Sequence, residues 1–441
     1  MNELEGSYAL GILDRDQNIL IGARKGSPLV LGVGKNEYFL ASDVPAFLDK
    51  TNKVVFLDEY QMAVINDKGH KILDIKNGKT ITPKISTISW SLAAAQKGGH
   101  PHFMIKEMLE QPTVIEKTIA TDPKELVKAA TMIKKAKRVY IVACGTALHA
   151  GMYGSYLLAR ENNIMIQPIS AGELPYFGHL LKKDDLIICV SQSGETADVL
   201  EAVRSAHKNS AKVLALVNVM GSSLMRVADS SILTKAGPEI CVLSTKAYVS
   251  QLAMFVMISS YLAGKPAEGK KILLEAKVGV EKVLAKKSLD NIKKLAKRLA
   301  KVPNLYSLGR GMNFPNAMEA ALKIKEVSYI HAEGFAGGDL KHGPIALIEK
   351  GVPVLVFVAD DGTDKEIISN AMEVKARGAE VIGISFEDNQ VFETYLPVQK
   401  SGVYTPIESI VYAQLLAYYI ALEKKLDPDK PRNLAKSVTV K

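Results

Sequence analysis

Ser191-Gln192-Ser193-Gly194-Glu195-Thr196 joins two segments of different periodicity. Before it stands Leu186-Ile187-Ile188-Cys189-Val190, an unbroken, branched apolar run with the length of a buried parallel strand. After it, Thr196-Ala197-Asp198-Val199-Leu200-Glu201-Ala202-Val203 repeats its apolar residues at helical spacing. The hexapeptide is therefore a strand-to-helix turn, where unpaired backbone N–H groups and the positive end of the helix dipole gather. Ser191, Ser193 and Thr196 add hydroxyl donors, and Gly194 lets the backbone approach a bound group closely. Together these make a seat for a phosphate, and the absence of a lysine from the turn argues against a nucleoside-triphosphate P-loop. Ser/Thr capping of an ordinary α/β turn would leave the same six residues, so the surrounding chain has to decide.

An internal repeat supplies that context. Arg138-Val139-Tyr140-Ile141-Val142-Ala143-Cys144-Gly145 matches Asn304-Leu305-Tyr306-Ser307-Leu308-Gly309-Arg310-Gly311, each a strand ending in glycine before a helix. Asp185 to Val190 pairs with Val352 to Val358, and Lys212 to Val217 with Glu380 to Ser385, at nearly constant spacing. Two copies of one doubly wound, parallel-sheet α/β unit follow. Ligands of such sheets sit at the carboxyl ends of the strands, where Cys144 to Ala147 and the hexapeptide both fall. The second copy has Ala359-Asp360-Asp361-Gly362 in place of the serine turn, and its acids repel a phosphate, so one phosphate site per chain is expected.

Residues 1–83 read differently. A hairpin of Tyr8 to Asp14 and Ile19 to Arg24 is followed by short alternating runs at Leu29 to Val33, Tyr38 to Ala41, Gln61 to Ile65 and His70 to Asp74. A Ser/Thr-containing connector with the single tryptophan, Trp90, and a Gly98-Gly99 break then leads to helical sequence from Phe103. The expected organisation is a partial β-rich domain at 1–83, a linker at 84–102, α/β units at 103–268 and 269–425, and a tail at 426–441.

Composition narrows the function. The 441 residues are 47% hydrophobic, without an apolar run of the roughly 18 residues that a membrane helix needs, and the acidic start Met1-Asn2-Glu3-Leu4-Glu5 lacks the apolar core of a signal peptide. A soluble, cytoplasmic protein is expected. Cys144, Cys189 and Cys241 form no Cys-x-x-Cys pair, so reduced thiols without metal or other cofactor are expected. The net charge of +9 owes much to Lys270–Lys301, which reads as a solvated helix face; without interleaved aromatics it does not point to nucleic acid.

Further motifs carry a family resemblance. Ala143-Cys144-Gly145-Thr146, Ser191 to Thr196, Glu239 with Ser244-Thr245-Lys246-Ala247, Glu319 to Glu326, His331-Ala332-Glu333, Leu340-Lys341-His342-Gly343-Pro344 and the tail Pro431 to Val440 resemble the glutamine:fructose-6-phosphate amidotransferases, or glucosamine-6-phosphate synthases. The repeats resemble that family's two SIS (sugar isomerase) subdomains. The tail and the Lys-His-Gly-Pro segment are particular to it, whereas the serine turn is shared by many sugar-phosphate binders. The resemblance implies conversion of fructose 6-phosphate and ammonia to glucosamine 6-phosphate by a homodimer. It makes Lys436 the amine that forms a Schiff base with the sugar's C2 carbonyl, and Glu326 the base that moves a proton between C1 and C2. Lys323 and Glu319 hold the open-chain sugar and the base, and His342 opens the ring from the neighbouring subunit. Thr146, Ser191, Gln192, Ser193 and Thr196 bind phosphate and sugar hydroxyls, and Val242, Ser244, Glu239 and Ala435 line the pocket. At position 147 the chain has Ala where the bacterial enzymes have Ser.

One departure is large. The family's glutaminase domain begins with a catalytic cysteine directly after the initiator Met, whereas this chain has no cysteine before Cys144, and Gly6 to Ala9 and Arg24 to Val30 resemble only that domain's later strands. A fragment, a partner chain carrying the first half, and true use of free ammonia all remain open. Other readings are a different SIS-fold sugar-phosphate isomerase or deaminase and a non-catalytic phosphosugar binder. Lys436 argues against a plain aldose–ketose isomerase, which needs no Schiff-base lysine. Read without the resemblance, Lys436 is an exposed tail lysine, Glu319–Lys323 a surface i,i+4 ion pair and His342 a solvated loop residue.

Overall fold

A computed structural model describes residues 4–88 and 96–439. Part of the expected linker, with Trp90, and Val440 of the tail lie outside the described residues.

The β-rich start forms two antiparallel sheets. One orders Tyr8–Asp14, Ile19–Lys25, Gln61–Asn66, Gly69–Asp74 and Thr80–Ile81; the other orders Tyr38–Ala41, Val30–Val33, Lys53–Phe56 and Ser86–Thr87. The expected hairpin closes with Asp14 opposite Ile19, its turn held by the Asp14 carboxylate, which accepts N–H bonds from Asp16 and Gln17. In the second sheet, period-two alternation divides neighbours between two apolar clusters. Leu31 and Val55 pack on one side, Val30 and Val54 on the other. Strand Lys53–Phe56 escaped the sequence reading because its short apolar run, Val54 to Leu57, lacks period-two alternation.

Each repeat builds a five-stranded parallel sheet, and the two orders correspond strand for strand. The first is Ile166–Ser170, Arg138–Ala143, Asp185–Ser191, Lys212–Val217, Ser230–Leu233; the second is His331–Ala336, Asn304–Gly309, Pro353–Phe357, Glu380–Ser385, Thr394–Pro397. All seven residues of Asp185–Ser191 are buried. Leu186, Ile188 and Val190 face one core and Ile187 and Cys189 another, which is why the strand is apolar throughout. Burying each such side chain stabilises by about 1.5–3 kcal/mol.

Four helices lie at the junction of the copies: Gly145–Asn162, Lys246–Leu262, Phe314–Ser328 and Pro406–Glu423. Lys246–Leu262 is buried on all sides except at Tyr261, which accounts for its predominantly apolar sequence. The expected junction at 268/269 falls inside helix Pro266–Val283. This helix and Lys286–Leu299 bury Leu273, Val280, Val283, Ile292, Leu295 and Leu299, leaving most of their lysines outward as a solvated face. Among the described residues no helix is long and apolar enough to cross a membrane.

Candidate active site

In each copy the crossover to either side of the first strand opens a crevice at the strand carboxyl ends. At its edge the chain turns through a glycine of positive φ, Gly145 at 52° and Gly311 at 53°, before entering the helix. An L side chain is strained in that region, which explains why both repeats place glycine there.

The serine turn sits in the first crevice. Ser191 Oγ accepts the Gly194 N–H at 2.9 Å, and Ser193 Oγ accepts the Glu195 N–H at 3.1 Å. Gly194 has φ 68°, and a Cβ there would lie 2.3 Å from Ser222 Oγ. The turn is thus shaped by its own hydroxyls, which take up two of the N–H groups that the sequence leaves free. Thr196 opens helix Ala197–Lys208 without a side-chain cap. The C-terminal tail lies across this point: Ser437 Oγ donates to Ser193 Oγ at 3.1 Å and Val438 O accepts the Ala197 N–H at 3.1 Å. Gln192 is half-buried, its carbonyl accepting the Asn218 N–H. In the second copy the Asp361 carboxylate accepts both the N–H and the hydroxyl of Thr363, so an acid already occupies the equivalent turn.

Lys436 is brought to a buried carboxylate. Its Nζ lies 2.6 Å from Glu239 Oε2, and the Glu239 side chain is fully buried. Ser244 Oγ donates to the same oxygen at 2.8 Å, and the N–H groups of Thr245 and Ala247 reach Oε1 at 2.9 and 3.0 Å. Burial raises the Glu239 pKa, but the charge and hydrogen bond of Lys436, with the two backbone donors, outweigh it and hold the carboxyl below the usual range. Lys436 is therefore no free tail lysine. Val242 is half-buried beside it, its N–H donating to Asp429 O, and Ala435 is exposed.

Asp429 anchors the tail. Its carboxylate caps helix Phe103–Leu109, accepting the Phe103 and Met104 N–H groups at 2.9 Å each. Further on, the Arg432 N–H donates to Tyr329 Oη and the Arg432 guanidinium covers the Tyr329 ring at 4.1 Å. The tail is thus tied to both copies. We expect Asp429→Ala to lower unfolding stability by about 1–2 kcal/mol in urea titrations, with reduced kcat/KM because the tail carrying Lys436 loses its fixed origin.

The second cluster lies on helix Phe314–Ser328. Lys323 Nζ is 2.7 Å from Glu326 Oε2, 3.4 Å from Glu319 Oε1 and 2.9 Å from Thr146 Oγ1. Thr146 accepts from Lys323 and donates to Glu319 Oε1 at 3.0 Å, so its hydroxyl is committed within the cluster. Glu319 and Lys323 have side-chain exposures of 0% and 1%, which removes the surface-pair reading. Burial lowers the Lys323 pKa, but Glu319 and Glu326 outweigh it and hold the ammonium strongly protonated. Glu326 keeps 22% exposure and is the acid of this group that solvent or substrate reaches.

His342 stands apart. It is exposed in the 3-10 helix Gly337–His342, and among the described residues no hydrogen bond or ion pair joins it to Glu326 or Lys436. Ala147 is buried in the large core cluster, where a methyl packs without a polar partner.

Sequence reasoning passed over three residues that the geometry brings in. His149 Nδ1 lies 2.7 Å from Glu319 Oε2; its position three after Thr146 on one helix face was the available signal. Asp429 had no signal beyond its proximity to the tail. Glu107, 1% exposed, accepts the Ile240 and Cys241 N–H groups and so clamps the segment beside Glu239. Its pKa is pushed up to about 7, by burial first and then by the Glu239 charge, against the opposing pull of Lys436 and Lys246. Of these two neighbouring carboxyls, Glu239 stays ionised while Glu107 retains a proton towards neutrality. A carboxyl raised on folding stabilises while protonated and loses that contribution as pH rises from about 4.5 through about 7. Glu408, also pushed up to about 7 by burial, acts in the same direction. We therefore expect the melting temperature to fall across that window, and Glu107→Gln, which keeps an oxygen for Ile240 and Cys241, to flatten the fall without abolishing it.

Comparisons with known proteins agree with this architecture. The SIS domain family matches residues 132–260 and 298–423. The chain is 42% identical, over its whole length and 76% of the relative's, to a protein of Clostridium tetani named glutamine–fructose-6-phosphate aminotransferase (isomerizing). A protein of the same name from Methanothermobacter thermautotrophicus is 42% identical over all of this chain and 74% of its own length. Among solved structures, the C-terminal domain of glucosamine-fructose-6-phosphate aminotransferase from Francisella tularensis superposes with a TM-score of 0.70 at 32% identity, covering 76% of this chain and all of that one. Tagatose-6-phosphate ketose/aldose isomerase from Escherichia coli, at 18% identity and a TM-score of 0.64 over 75% of this chain and 95% of its own, shares the fold.

Proposed function

Because the chain belongs to the glutamine–fructose-6-phosphate aminotransferase (isomerizing) family, we propose that it converts fructose 6-phosphate and ammonia into glucosamine 6-phosphate, with Lys436 and Glu326 as its two reacting side chains. The observation that carries this reading is that the tail brings Lys436 to Glu239 and Ser437 to the serine turn, while the Glu239 charge also acts on Lys323, the partner of Glu326.

The phosphate docks at Ser191, Gln192, Ser193 and Thr196, and binding it there shifts the tail's Ser437 and Val438, which now border that turn. Lys436, positioned by Glu239 2.6 Å away, gives up its proton and attacks the C2 carbonyl of the open-chain sugar as a neutral amine. Water leaves as the imine forms. Ammonia adds to that imine and displaces Lys436 as the free amine, leaving a C2 imine that carries the retained nitrogen. Glu326 then takes a proton from C1 and returns it at C2, the C1 hydroxyl proton passing to the nitrogen as C1 becomes the aldehyde, while Lys323 stabilises the Glu326 carboxylate and Glu319 holds Lys323. Val242, Ser244 and Ala435 line the sugar's path.

We further propose a homodimer, in which the exposed His342 opens the sugar ring in the neighbouring subunit's site. Its exposure, with no hydrogen bond or ion pair to Glu326 or Lys436 among the described residues, supports that arrangement. The domain organisation is a β-rich glutaminase-type portion, two SIS units and an active-site tail, in a chain that spans about three quarters of the relatives' length.

The test is an incubation with fructose 6-phosphate and either an ammonium salt or glutamine, assayed for glucosamine 6-phosphate. Product from the ammonium salt is expected. Product from glutamine would refute the ammonia assignment, and product from neither would refute the synthase reading.

A further inference from the structure

The two SIS copies meet at a chain of polar contacts that begins on a histidine with no role in the scheme above. His149 projects from helix Gly145–Asn162 of the first copy, 8% exposed, and its Nδ1 lies 2.7 Å from Oε2 of Glu319 on helix Phe314–Ser328 of the second. With Glu319 as a carboxylate, Nδ1 carries the proton. The other oxygen, Oε1, accepts from Thr146, which in turn accepts from Lys323, the partner of Glu326.

Lys323 is shared unequally. Its Nζ is 2.7 Å from Glu326 but 3.4 Å from Glu319, although Glu319 is the more deeply buried and so the more demanding acid. Two anions compete for one cation in a region that also holds the Tyr248 hydroxyl and, farther off, Glu239. Something must satisfy Glu319 from its far side if Lys323 is to stay with Glu326. His149 is placed to do that.

We propose that His149 is a positioning residue for the proton-transfer step: by holding Glu319 from across the repeat junction, it keeps Lys323 on the Glu326 carboxylate. This rests on the isomerase reading of the site. Without the imidazole N–H, Glu319 draws Lys323 to itself. Glu326 then loses its counter-ion, takes up a proton more readily and works as a base only at higher pH. A histidine that merely fills space between helices would leave that titration where it was.

The test compares the wild-type protein, His149→Met, which keeps the volume and removes the donor, and His149→Asn, whose amide N–H replaces Nδ1. Product formation with ammonium and deuterium uptake into the sugar from D2O are followed against pH. We expect His149→Met to lose roughly ten- to a hundredfold in kcat with KM nearly unchanged, to lose deuterium uptake in parallel, and to show its acid limb moved to higher pH. His149→Asn should restore the limb and most of the rate; if His149→Met does not accumulate folded, His149→Ala takes its place. The inference is overturned by wild-type kcat and pH profile in His149→Met, or by equal losses in both variants with an unmoved acid limb. Wild-type protein that forms no glucosamine 6-phosphate and takes up no deuterium overturns the isomerase reading, and this inference with it.

Discussion

Lys436→Ala is expected to lower glucosamine 6-phosphate formation by about a thousandfold or more, since it removes the covalent step itself. The fold should survive, because Lys436 lies in the tail and keeps 24% side-chain exposure, so its loss opens no core cavity. What the variant leaves behind is Glu239, a fully buried carboxylate that still has the Ser244 hydroxyl and the Thr245 and Ala247 N–H groups but has lost the ammonium paired with it. Its pKa should therefore rise, and unfolding stability at neutral pH should fall modestly. Borohydride reduction in the presence of fructose 6-phosphate should add the sugar's mass to the wild-type protein and not to the variant. Trapping in Lys436→Ala at the wild-type level would assign the Schiff base to another lysine.

Glu326→Gln should lower turnover by roughly a hundred- to ten-thousandfold, the usual contribution of a positioned general base. The amide keeps the volume and can accept from Lys323, so the cluster of Glu319, Thr146 and Lys323 should hold its shape. Borohydride trapping should persist in this variant, because imine formation at Lys436 precedes the proton transfer. That contrast separates the two side chains: one variant loses trapping and turnover together, the other loses turnover alone. Turnover within threefold of wild type would remove Glu326 from the mechanism.

The fold was largely legible in the sequence because its signals are local. Buried parallel strands such as Leu186 to Val190 announce themselves by unbroken apolar runs, and the repeat doubled every such signal. The lysine-rich helices Pro266–Val283 and Lys286–Leu299 show the complementary pattern, with apolar residues at helical spacing under a charged face. Lys53–Phe56 went unread because a short strand gets its definition from its neighbours, here Val30–Val33 and Ser86–Thr87. The site was legible where a motif holds the chemistry in one stretch, as in Ser191 to Thr196, or on one helix face, as in Glu319, Lys323 and Glu326. His149 and Asp429 were not, since each acts on a group more than a hundred residues away in the chain.

The sequence by itself determined the two doubly wound units, the serine turn between strand and helix, and the helical spacing that aligns three charged side chains. These depend on backbone geometry and apolar periodicity, which act over a few residues. Only the tertiary structure decided that Glu319 and Lys323 are buried rather than solvated, and that Lys436 meets Glu239 rather than water. It also decided that Asp429 carries the tail back to the first unit, and that a histidine of one copy satisfies an acid of the other. Burial and ion pairing depend on which surfaces close on one another, and that closure is a property of the packed chain that no local stretch contains.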